Sequence, residues 1–203
     1  MTTLAAGWWE GFELYANQGF RKYHSELVFT SEWKKWLAVN AAWAHGTGIN
    51  YYPAAGMSSF LGVSSDASAG FTLRPTVRTR IDESYIYSGL QTLDGASVFV
   101  NHIARSKINY QFTRAASVRF ILDYNSVLPN ASLIQFDNSK HVGVDALFTY
   151  MVNPGTALHV GYTDLYDNWR LDPGISPVLK RTAFPDLNTG RQFFVKLSYL
   201  FRF

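Results

Sequence analysis

The sequence predicts an all-β chain: an antiparallel transmembrane β-barrel of the outer-membrane type, with about ten strands. Three observations carry this. Apolar and polar residues alternate with period two along one segment after another, as they do where a strand has one apolar and one wet face. Tight turns alternate with longer links. Aromatic residues gather near the ends of the apolar stripes, where a bilayer has its interfaces. The 203 residues read as a single domain, either a whole barrel or the C-terminal part of a larger one.

In chain order, the first third alternates weakly, with Leu37, Val39, Ala41 and Trp43 on one face of 35–45. The pattern sharpens at Val77, Thr79, Ile81, Tyr85 and Tyr87, set against Arg78, Arg80, Asp82, Ser84 and Ser88. Val118, Phe120, Leu122 and Tyr124 then alternate with Arg119, Asp123 and Asn125. Val142, Val144, Ala146, Phe148 and Tyr150 alternate with His141, Gly143, Asp145 and Thr149, and Leu158, Val160 and Tyr162 with His159, Gly161 and Thr163. The cleanest stretch is the last. Phe193, Val195, Leu197, Tyr199, Phe201 and Phe203 are apolar, with Gln192, Lys196, Ser198 and Arg202 between them. On a helix these six apolar side chains would scatter around the axis, so a helix is excluded there.

Arg74-Pro75-Thr76, Thr113-Arg114-Ala115-Ala116 and Asn153-Pro154-Gly155 carry turn chemistry, and Ser31-Glu32-Trp33-Lys34 is a fourth candidate. Longer links fall at 46–66, 89–96, 128–139 and 167–190. Short turns at one end and long loops at the other match periplasmic and extracellular ends respectively. The link 167–190 is long enough to cap the barrel or to touch a ligand outside the cell.

Composition narrows the class. Charged residues make up 16% and aromatic residues another 16%, too greasy for disorder, and the run at 36–44 is far too short for a spanning helix. The net charge of +3 comes from Lys and Arg scattered along the chain, which argues against nucleic acid. No cysteine is present, which excludes disulfides and Cys-based metal sites and suits passage through an oxidising periplasm. The first residues lack the basic and apolar regions of an export signal, so we expect a removed signal or a longer parent.

Alternation does not say which face meets lipid. A soluble ligand-binding barrel would turn the apolar face inward, whereas aromatic stripe ends and mixed charges on the other face favour lipid outside. The aromatic ends are Tyr85, Tyr87, Tyr110, Phe112, Tyr124, Tyr150, Tyr162, Phe201 and Phe203. The polar face holds Arg78, Arg80, Arg105, Lys107, Arg119 and Lys196 against Asp82, Asp123 and Asp145. Counted from the short turns, the first five cations fall near the periplasmic end. Two readings stay open: a basic constriction that favours anions, or a salt-bridge ladder that fills a narrow lumen. The five histidines are dispersed, with no metal-ligand spacing on one strand, and no phosphate-binding glycine motif occurs; no metal or cofactor is expected. His159 beside Asp145 is the one candidate acid–base pair.

The ending Val195-Lys-Leu-Ser-Tyr-Leu-Phe-Arg-Phe203 resembles the C-terminal signal of outer-membrane proteins. That resemblance implies the barrel assembly machinery as a partner, reading Tyr199, Phe201 and Phe203. Longer stretches resemble one family more closely. They are Arg78-Thr-Arg-Ile-Asp-Glu-Ser-Tyr-Ile-Tyr-Ser88, Asn101-His-Ile-Ala-Arg-Ser-Lys-Ile-Asn-Tyr-Gln-Phe-Thr-Arg114, Leu122-Asp-Tyr124, Asn153-Pro-Gly-Thr-Ala-Leu158 and Thr189-Gly-Arg-Gln-Phe-Phe194. Together they resemble the C-terminal barrel, of unknown function, of large bacterial proteins whose N-terminal part is similar to a family-nine carbohydrate-binding module. The resemblance covers about 66 to 203 well and the first third loosely. It implies a passive pore or membrane anchor in contact with outer-membrane lipid and lipopolysaccharide, with a small anionic or sugar ligand as a further expectation. The alternative from another class is an outer-membrane hydrolase with its site at the extracellular rim.

Overall fold

A computed structural model describes residues 1–173 and 176–200, so Phe201 and Phe203 of the terminal signal lie outside the described residues. The first six strands are β1 (Thr2–Tyr15), β2 (Gln18–Lys34), β3 (Leu37–Asn50), β4 (Phe60–Thr76), β5 (Thr79–Gln91) and β6 (Ser97–Gln111). There follow β7 (Ala116–Pro129), β8 (Ser139–Asn153), β9 (Thr156–Asp167), β10 (Trp169–Asp172), β11 (Val178–Arg181) and β12 (Leu187–Tyr199). Ten of them form one antiparallel sheet, each paired with its neighbour in sequence from β1 to β9 and then to β12. The strands β10 and β11 make a separate hairpin.

The sheet is open. Among the described residues nothing pairs β1 with β12, so the ten strands do not form the closed barrel that the sequence predicts. Alternation determines faces and neighbours, but closure depends on tilt and stagger accumulated over every strand, which no local pattern encodes.

The weakest third of the sequence pattern holds β2, which at 17 residues equals β4 as the longest strand of the sheet. Tight turns fall at 35–36, 77–78, 112–115 and 154–155, all at one end. The expected turns at 31–34 and 74–76 are therefore displaced along the chain, and Val77 and Arg78 belong to a turn instead of a strand. Pro75 still fits, because it lies where the β4–β5 ladder has shifted register between Leu73 and Thr76. At the other end, Ala16 and Asn17 both have positive φ, 49° and 61°, the two-residue turn that matches strand twist. This hairpin lacks the Gly that usually announces it. The link at 167–190 is no simple loop: it contains the β10–β11 hairpin, with the Arg181 guanidinium 3.5 Å over the Trp169 ring.

Register separates the faces across the whole sheet. One row runs Phe29, Ala41, Ala69, Tyr85, Ala104, Tyr124, Val142 and Tyr166, and a parallel one runs Leu73, Ile81, Ile108, Phe120, Ala146, Tyr162 and Phe193. This apolar face is the open one: Trp43 is 50% exposed and Phe193 67%. The opposite face is the more enclosed. Ile121 there is 9% exposed and Leu90 4%, although Trp9 and Ile86 on the same face remain exposed. The usual order of a soluble sheet is thus inverted.

The cluster of buried apolar residues sits at the loop end of the polar face. The β3–β4 and β7–β8 loops meet there through a Pro53–Ile134 bridge. Ala54 N donates to Leu133 O at 3.1 Å, Gln135 N to Tyr52 O at 2.9 Å, and Asn50 Nδ2 to Leu133 O at 2.8 Å. Beneath this roof Ile134 packs with Leu90 and Val98. Tyr51 ties the same roof to β1, its hydroxyl donating to Glu13 at 2.7 Å.

Candidate functional site

The polar face presents two adjoining cavities near the tight turns. The larger, of about 850 Å³, is lined by Lys35, Arg74, Arg78, Arg80 and Arg119 together with the neutral donors Asn109, Gln111, Ser117 and Thr149. The smaller, of about 560 Å³, is lined by Asp82, Arg105, Lys107 and again Arg119. Strand alternation puts these side chains on one face, and register sets their depth: Arg80 faces Asn109, which faces Arg119, while Asp82 faces Lys107.

The three expected acidic partners are all engaged. Asp82 takes Arg80 Nε at 2.9 Å and the Thr72 hydroxyl at 2.6 Å. Asp123 takes Arg105 at 3.2 Å. Asp145 accepts from the Thr163 hydroxyl at 2.5 Å and holds no cation. Among the described residues, Arg78, Arg119, Lys35 and Lys196 form no ion pair within 4.0 Å, and no carboxylate lines the larger cavity, so that cavity has a local positive surplus. A like-charged cluster in a concave site focuses field lines on anions.

Sequence counting placed five cations near one end, and the structure divides them. Arg78 and Arg80 sit at the turn and Arg119 just beyond it, whereas Arg105 and Lys107 lie farther along β6 and, of these two cavities, line the second. Lys196, opposite His159 on β9, lines neither cavity. Lys35, Arg74 and Trp36 were missed because they lie at or beside turns, outside any alternating stripe. The signal that finds them is a basic residue at successive tight turns.

The expected His159–Asp145 pair is not formed. His159 Nδ1 lies 3.1 Å from the Thr149 hydroxyl, because register sets Thr149, not Asp145, opposite it. A different pair occurs at the loop end, where His141 Nδ1 lies 3.1 Å from Asp167 Oδ1. Among the described residues no group of three or more His, Cys, Asp and Glu is placed to hold a metal ion.

Three carboxylates interrupt the apolar face: Glu10, exposed on β1, and Asp164 and Glu83. Asp164, 7% exposed, binds Arg191 Nη2 at 3.1 Å, the hydroxyls of Tyr162 and Tyr166 at 2.9 and 3.0 Å, and Asn188. This network lies toward the loop end of β9. Glu83, farther down its strand, accepts from the Ser106 hydroxyl at 2.6 Å.

Fold and site together define an antiparallel ten-stranded sheet with an exposed apolar face and a cation-rich polar one. No family model, curated protein or solved structure matches the chain.

Proposed function

We propose that the chain is the wall of a bacterial outer-membrane β-barrel that acts passively, as the anchor of a longer protein or as a pore. The observation that carries this is the facing: along ten strands the apolar residues share one exposed face, and the loop roof lies over the polar one. Lipid is the solvent in which that arrangement is favourable, at roughly 25 cal/mol for each Å² of apolar surface withdrawn from water.

Three features support it. Each of the ten strands has 12 to 17 residues, more than the roughly 9–11 needed to cross a bilayer. The row that starts at Val39, near the turn end of β3, reaches Asp164, near the loop end of β9, and this one-way stagger is the shear of a curling wall. The strands β1 and β12 run antiparallel to each other, as an even-stranded wall requires at its seam. Pairing of these two edges, or insertion of further strand pairs, closes the barrel. The loop roof over the polar face favours an anchor over an open pore. The resemblance of the terminal strand to an outer-membrane signal implies the barrel assembly machinery as a partner.

The test uses single-tryptophan variants folded into vesicles of brominated lipid. Trp43, on the apolar face, should be strongly quenched. A tryptophan moved one residue on, by Ala44→Trp with Trp43→Phe, should be spared. Equal quenching refutes the outward assignment.

Hydrolysis at the loop rim is favoured by one observation, the His141–Asp167 pair, which orients an imidazole as a base. No hydroxyl or second carboxylate bonds to that imidazole among the described residues. Retention of any peptide- or ester-cleaving activity by His141→Ala would dismiss this reading.

A further inference from the structure

We infer that the larger cavity at the turn end is a binding site for a phosphate-type oxyanion carried on an organic group. Five cationic side chains, Lys35, Arg74, Arg78, Arg80 and Arg119, line it, and among the described residues only Arg80 has a carboxylate partner. Their mutual repulsion is relieved by an anion in their midst. Guanidinium forks match the oxygens of phosphate two at a time, which a lone ammonium does not. Asn109, Gln111, Ser117 and Thr149 offer neutral donors for the remaining oxygens.

The volume has room for more than a bare ion. About 850 Å³ falls in the range of sites that hold whole small molecules, and Trp36 and Leu147 supply apolar wall beside the cations. The site draws on the turn after β2, the turn after β4 and strands β5 to β8, so it exists only when the sheet is formed. It lies at the opposite end of the polar face from the loop roof, and so would load from the turn side.

The probe is inorganic pyrophosphate, titrated calorimetrically into the full 203-residue chain folded in maltoside micelles, which contain no phosphate. Binding at one site per chain is expected. It should weaken at least tenfold between 50 and 300 mM KCl, as about 8 Å Debye screening at physiological strength implies. Arg78→Ala with Arg119→Ala should weaken it at least tenfold. Arg170→Ala with Lys180→Ala removes the same charge from the β10–β11 hairpin and should change it less than twofold. Equal losses in the two double variants, or no binding by the parent, overturn the site.

Two competitors separate the sources of the phosphate. Displacement by glucose 1-phosphate assigns a soluble ligand, and displacement by dihexanoyl phosphatidic acid alone assigns a lipid headgroup. The site rests on the sheet's facing, which Trp43 quenching reads independently. A correctly faced protein that ignores pyrophosphate refutes the site and leaves the wall reading intact.

Discussion

Phe120→Arg tests the facing of the sheet at its most informative point. Phe120 lies on the apolar face, between Ile108 and Ala146 in the register, with no polar side chain on either side. It is the fifth residue of β7, about 10 Å above the turn end at the shortened rise of a tilted strand, and so near the middle of an apolar band about 25 Å tall. Arginine near the midplane costs about 2–4 kcal/mol, roughly a 30- to 700-fold loss in the folding equilibrium. The control is Thr149→Arg, the fifth residue from the end of β8 and on the polar face. It forfeits the hydrogen bond to His159 and adds a charge to a wet cationic space, which should cost about 1 kcal/mol. Urea titration of both variants in phosphatidylcholine vesicles, followed by intrinsic fluorescence, measures the difference. If Thr149→Arg proves as costly as Phe120→Arg, the faces are assigned the wrong way round. Leu197→Arg is a poorer choice, because Leu197 lies two residues from the end of β12, where the penalty falls toward zero.

The absence of cysteine permits a topology test with single thiols: Phe184→Cys in the loop region should react with a membrane-impermeant maleimide on intact cells, and Val77→Cys in a tight turn should not. Labelling of position 77 alone would invert the sheet in the membrane. Glu83→Gln keeps an acceptor for Ser106 but removes a charge from the apolar face, so it should raise stability in lipid by on the order of 1 kcal/mol at pH 8. Loss of stability in the same urea titration would place Glu83 against protein or water instead. The hydroxyl of Tyr51, donating to Glu13, is pushed up to about 12 from its ordinary value near 10. A raised value means that the loop contact is fully held below pH 10 and is lost as the pH rises through about 12. The tyrosinate absorbance difference between the parent and Tyr51→Phe should therefore titrate near pH 12, and a midpoint near 10 would show the contact absent in solution.

Period-two alternation around Phe120, Val144, Val160 and Val195 was legible in the chain, because successive side chains of a strand point to opposite faces whatever the strand pairs with. The same rule put Arg80, Arg105, Lys107 and Arg119 on one face before any coordinates. Turn positions were less legible. Nothing in Lys35-Trp36 or Ala16-Asn17 carries Gly or Pro, and strand twist and pairing select those turns instead of local propensity. Partnerships were not legible at all: the neighbour of His159 is Thr149 and the neighbour of His141 is Asp167, because pairing depends on the register between strands. The sequence by itself determined the two faces and that about ten strands make the sheet, since alternation is a property of each segment taken alone, but it did not show the β10–β11 hairpin. Which face is enclosed, which cations share a cavity, and where two distant loops meet over Leu90 and Val98 were decided only when ten segments were staggered against one another, because each is a relation between residues far apart in the chain.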